Sequence, residues 1–175
     1  MRKWLRMGGA GLVLAFAVGA GAQERRGEEK PFSDAEFAKK AASGGLAEVE
    51  MGKIAKDRAT DPDVKQFAER MITDHGKANE ELEKVAKEAN LSIPTRPDAE
   101  EQKHIDMLRD YKGADFDKMY IKHMVEDHER DVKEFTRAAR ECKNDKLKAF
   151  AEKTLPTVKE HLEMAKKINE RLNRK

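Results

Sequence analysis

Two stretches of the chain share one pattern: MITDH at residues 71–75 and MVEDH at residues 124–128. Each runs Met, aliphatic, any residue, Asp, His. Imidazole beside carboxylate is the pairing with which proteins ligate a transition metal and orient the ligating ring. A third histidine, His161, stands in LPTVKEHLEMAKKI. Steps of three and four place all three on apolar helical stripes: His75 between Met71 and Ala78, His128 between Met124 and Val132, His161 between Val158 and Ala165. An earlier helix carries Glu48 on its own stripe, through Gly45, Met51 and Ala55.

The heights of these residues follow from hairpin geometry. Glu48 and His75 are equally far from the turn in TDPD (residues 60–63), and His128 and His161 from the turn in KND (143–145). Each lies roughly 13–17 residues from its turn, so at about 1.5 Å per residue all four stand within about one helical turn of one level. Burying an unpaired polar group costs a few kcal/mol, and one divalent ion would satisfy all four together. The expected ligands are Glu48, His75, His128 and His161, with Asp74, Asp127, Asp131 and Glu160 orienting the rings. Three imidazoles and a carboxylate suit zinc, iron, manganese or copper rather than calcium or magnesium. No organic cofactor is implied. The competing reading is a hydrogen-bonded polar layer in which the same acids satisfy the rings without an ion.

Other residues fit this layer less well. Glu101 and His104 form an E-x-x-H, but they lie too far along the chain from His128 to join it. His123 falls off the stripe and is expected at the surface. Tyr120 and Asp117, one and two turns before Met124, are placed to line one side of the site. Met51, Met71, Met124 and Met164 read as core filler, and Cys142 as a small buried hydrophobe. Pro156 interrupts the last helix and frees the carbonyl of Glu152.

The elements that must position these groups are helical. Ser33 and Glu36 form a capping box, with Phe32 and Phe37 at the spacing of a hydrophobic staple. A first helix runs to about Ala59, and Asp61 with Pro62 starts a second, to about Ala89. NLSIPTRPD connects the halves. A third helical stretch runs from about Asp98, is interrupted near Gly113 in YKGAD, and resumes at about Asp115 as far as Cys142. The last begins near Lys146. VKQFAER and LKAFAEK open the second and last helices, a weak internal repeat. The expected fold is all-α: an antiparallel four-helix bundle over residues 33–175.

Residues 1–22 read as an export signal. MRKWLR supplies a positive start, a short apolar run follows, and Ala20-Gly21-Ala22 offers a cleavage site before Gln23. The run is too short and too rich in Gly and Ala for a confident membrane span, and no Cys follows it for lipidation. The alternative is an uncleaved N-terminal anchor. Residues 23–32 form a polar tail. Three of the 36 basic residues lie in the signal, leaving 33 against 34 acidic residues in the mature chain, a net charge of about −1 with His neutral. No basic stripe for nucleic acid is present.

The quoted segments, together with GGLAEVEMGKIAKDRATDPDVKQFAERMITDHGKANEELEKVA and FDKMYIKHMVEDHERDVKEF, resemble the bacterial family known as domain of unknown function 4142 across about residues 33–172. The resemblance implies an exported, ferritin-like four-helix bundle and maps the family's recurrent Glu, Asp-His and two later His onto Glu48, Asp74-His75, His128 and His161. It carries no established reaction. Ile72, Val125 and Val158 stand three residues before the core His where a ferritin-type di-iron centre needs Glu. The expectation is a periplasmic or secreted bundle that binds one transition metal, serving metal handling or redox and stress protection. The rival is a metal-free structural or interaction module of the cell envelope, with an envelope partner or a second copy as its target. An enzyme would need an open coordination position and a substrate pocket, and the sequence indicates neither.

Overall fold

The computed structural model describes residues 30–174. The proposed export signal (1–22) and most of the polar tail lie outside the described residues. The described chain forms five helices and no strand: α1 (Asp34–Arg58), α2 (Pro62–Glu88), α3 (Ala99–Asp110), α4 (Gly113–Glu141) and α5 (Asp145–Asn173). None is long and apolar enough to cross a membrane.

The helix starts follow the local chemistry. Ser33 Oγ accepts from the Glu36 amide, and Phe32 stands 6.0 Å from Phe37, completing the staple. Asp61, Asp98 and Asn144 each accept from the amides two and three residues on, capping α2, α3 and α5. The third stretch expected from sequence is two separate helices, α3 and α4, and the break falls at Tyr111–Lys112. Gly113 begins α4 at φ +56°, a left-handed value that glycine reaches without a Cβ penalty. Arg58 fixes this break from α1, donating to the Arg109 carbonyl at 2.8 Å and the Tyr111 carbonyl at 2.5 Å. α5 runs unbroken through Pro156.

The long helices pack in a cycle: α1 on α2, α2 on α5, α5 on α4, and α4 back on α1, while α3 lies against α1 and α4. Two apolar clusters fill the interior. One holds Met51, Phe67, Met71, Phe116, Tyr120, Met124, Ala165 and Ile168. The other holds Phe37, Leu82, Phe135, Cys142, Leu147 and Phe150. On α2, α4 and α5 the candidate ligand falls between the two, as in the series Met71, His75, Leu82, and on α1 Glu48 stands beside Ala47 of the first cluster.

α1 approaches α2 closely through two glycines that flank Glu48. A Cβ on Gly45 would overlap the Asn79 amide, and one on Gly52 would stand 3.0 Å from Ile72 Cγ1 and 3.2 Å from the Ala68 carbonyl oxygen. Gly44, by contrast, faces open space. Gly44→Ala should therefore stabilise the fold by about 0.5–1 kcal/mol, through lost unfolded-state freedom. Gly52→Ala should destabilise it by about 1 kcal/mol or more, because a backbone carbonyl cannot swing aside. Urea midpoints of the two variants should move in opposite directions; matching shifts would contradict this packing.

Candidate metal centre

His75 (α2), His128 (α4) and His161 (α5) meet in the interior with ring centroids 5.5, 5.2 and 5.4 Å apart. His128 is 0% exposed, and His75, His161 and Glu48 are buried as well. One nitrogen from each ring lies within 4.8 Å of the other two. His75 Nε2 and His161 Nδ1 are 3.3 Å apart. That equals the edge, about 3.3 Å, of a tetrahedral site with metal–nitrogen bonds near 2.0–2.1 Å.

The remaining ring nitrogens are held from behind. His75 Nδ1 stands 2.7 Å from Glu48 Oε2, and His161 Nε2 stands 3.0 Å from Asp74 Oδ2. His128 Nδ1 donates to the Met124 carbonyl at 2.9 Å. Asp74 is itself bound by Arg70 Nε at 3.1 Å, and Arg70 reaches the exposed Glu160 at 2.6 Å. A chain of polar contacts thus leads from His161 to the surface. Among the described residues His128 Nε2, the atom left facing inward, has no hydrogen-bond partner, nor has Glu48 Oε1.

Burial dominates the electrostatics. It lowers the pKa of His75; it holds His128 well below the ordinary imidazole value, with His75 and His161 adding to the effect. Burial and the neighbouring His75 hold His161 at about 4, against the opposing pull of Asp74. All three rings are therefore neutral at pH 7, the form in which imidazole ligates a metal. Glu48 is pushed well above the carboxylate range by burial, then by the charges of Asp127 and Glu101. Burial, then Glu48 and Asp127, push Asp131 up as well. Asp74 lies below its ordinary value: burial raises it, but hydrogen bonds from His161 and Arg70 outweigh that.

Several residues stand elsewhere than their sequence neighbours suggested. Glu48 backs His75 and is not among the three convergent groups; its Oε1 lies 3.5 Å from His128 Nδ1. Asp74 serves His161 on another helix, not the adjacent His75. Asp127 turns away from His128 and pairs with Arg130. Asp117 does not line the site: it accepts from the Thr60 amide at 3.0 Å and the Asp61 amide at 2.9 Å, pinning the first turn to α4. Tyr120 is buried near Glu48, whose charge adds to burial in pushing the phenol pKa up, and its hydroxyl has no partner among the described residues. His123, expected at the surface, is buried. Sequence reading also missed a cavity of about 220 Å³, lined by His75, His161, Lys77, Lys153, Thr154 and Thr157 between α2 and α5.

Comparison with known proteins places the chain in a family. The fold is similar to the crystal structure of a DUF305 protein from Streptomyces coelicolor, described as secreted, with a TM-score of 0.67 at 16% identity over 80% of this chain and 93% of that one. No protein of curated function matches the chain. The model of the family described as Domain of unknown function (DUF4142) matches residues 19–168, nearly the whole length, and the chain belongs to that family.

Proposed function

We propose that this protein is a transition-metal-binding bundle of ferritin-like type that works outside the cytoplasm after cleavage between Ala22 and Gln23. The ion is held by His75 Nε2, His128 Nε2 and His161 Nδ1. Glu48, Asp74 and the Met124 carbonyl fix the three rings, each by its other nitrogen. The observation that carries this reading is the inward-facing Nε2 of His128, fully buried and without a partner. An orphaned buried acceptor costs about 1–3 kcal/mol, and a shared ion removes that cost. Three neutral imidazoles suit zinc, copper, iron or manganese. The cavity against His75 and His161 gives the ion a route in and leaves a side from which a further ligand can approach. Metal handling or protection against redox stress fits such a site.

A second reading has its own support. Glu48, His75, His161, Asp74, Arg70 and Glu160 form a continuous hydrogen-bonded series that needs no ion. On that reading the layer fixes helix register in a structural or interaction module of the envelope. The series leaves His128 Nε2 unsatisfied, which is why the metal reading is preferred.

Metal content separates the two. Protein purified without a chelator or affinity tag should carry a first-row ion that His128→Leu lacks, and the stripped protein should take up one equivalent at this layer with a rise in melting temperature. Stripped protein whose melting ignores zinc, iron, manganese and copper alike would leave only the polar network.

A further inference from the structure

A second group of metal-ligating side chains lies outside the histidine layer. Glu101 of α3 meets His123 and Asp127 of α4, with one ligand atom from each within 4.8 Å of the other two. His123 is 7% exposed and Asp127 4%, while Glu101 is half-buried. His123 Nε2 and Glu101 Oε2 are both buried without a hydrogen-bond partner among the described residues. Asp127 Oδ2 stands 4.0 Å from His123 Nε2. That gap is too long for a hydrogen bond, yet one ion spans it when its bonds to nitrogen and oxygen are about 2.0–2.2 Å.

We propose that Glu101, His123 and Asp127 form a second divalent-cation site that ties α3 to α4. The donor set is one imidazole and two carboxylates, which suits a first-row divalent cation such as zinc, manganese or iron(II) and disfavours the soft, thioether-seeking copper(I). The surroundings agree. The charges of Asp127, Asp98 and Glu100 all act on the half-buried Glu101 carboxyl, so negative charge is crowded here. Arg130 is the cation already present, and it engages Asp127 through Oδ1, leaving Oδ2 toward His123. The ring of His104 stacks on His123 at 4.5 Å and 31°, which holds the imidazole in place without needing to ligate. α3 and α4 are joined through the two-residue break at Tyr111–Lys112. An ion bound to one residue of α3 and two of α4 adds a cross-link where the chain itself is thin.

The site shares no ligand with the histidine layer, and the test keeps the two apart. Chelator-stripped mature protein is dialysed against zinc and, separately, manganese, and bound ion is counted per chain. The wild type should hold two zinc ions, the Glu101→Gln/His123→Gln double variant one, and His128→Leu one. Equal counts for the wild type and the double variant overturn the proposal. An ion that survives in His128→Leu and disappears in the double variant supports this site even if the histidine layer binds nothing. Should the double variant fail to fold, amide exchange on the wild type decides. Zinc at ten times its dissociation constant should slow exchange across residues 99–110 about tenfold. Exchange in α3 that neither zinc nor manganese changes overturns the proposal.

Discussion

His128→Leu should raise the melting temperature of the metal-free protein and remove the part of its zinc response that comes from the histidine layer. The two effects have different causes. In the stripped protein His128 keeps one good hydrogen bond, to the Met124 carbonyl, and leaves Nε2 buried and unpaired. Leucine has similar bulk, fills the same space and removes the orphaned acceptor, a gain of about 1–3 kcal/mol set against the lost bond of about 1 kcal/mol. In the loaded protein the ion adds about 2.7 kcal/mol at a free concentration a hundredfold over its dissociation constant. For a domain of this size that is about 5–10 °C of melting temperature, all of which the variant forfeits. Stripped wild type should therefore melt below the variant and zinc-loaded wild type above it. Differential scanning calorimetry with and without zinc reads both orders; a variant that melts below stripped wild type would mean that His128 Nε2 is satisfied some other way.

Zinc should also stay bound at a pH where an ordinary three-histidine site has let go. A ring must be neutral to ligate, so proton competition begins only as pH falls through that ring's own pKa. Three rings at the usual value near 6.5 would each lose about 1.5 decades of affinity by pH 5, more than four decades together. Here burial lowers all three, and His161 is held at about 4. Affinity measured against a competing chelator should therefore fall by well under four decades between pH 7 and pH 5, with His161 competing for protons only as pH approaches about 4. A four-decade loss by pH 5 would show rings that titrate as if in water.

The same shifts bear on the stability of the stripped protein. Unfolded imidazoles take up protons near pH 6.5 that the folded rings refuse. Their contribution is whole above that pH and is lost as pH falls toward the folded values. The raised Glu48 and Asp131 act in the opposite sense, stabilising below the ordinary carboxylate pKa and losing that contribution as pH rises. Stability without metal should therefore vary less between pH 5 and 7 than either set alone would make it.

The helices and the level of the polar layer were legible because both rest on periodicity. Stripes in steps of three and four, and equal distances from two turns, put His75, His128 and His161 together without any knowledge of their partners. Which acid serves which ring was not legible, and helix geometry says why. Adjacent helical residues point about 100° apart, so Asp74 cannot back His75 and instead meets His161 across the α2–α5 contact. Asp127 is likewise turned from His128, toward α3. The spacing that would have found its partner is i to i+4, His123 to Asp127, which lie on one helical face. His123 falls off the apolar stripe of α4, which points to the surface, whereas α3 covers that side and buries it.

The polar layer sits between two apolar clusters, and each cluster closes over a different turn: one beside Thr60–Asp61, the other beside Cys142 and Leu147. The energetic halves of this molecule are therefore its two ends, whereas the halves suggested by the weak internal repeat are its two hairpins, and the two divisions cross. Either hairpin alone would own part of each cluster and only part of the layer, with no intact core to fold around. If the chain arose by doubling a hairpin, its ancestor could have folded only as a pair, and joining the two copies made permanent an association that the interior already required.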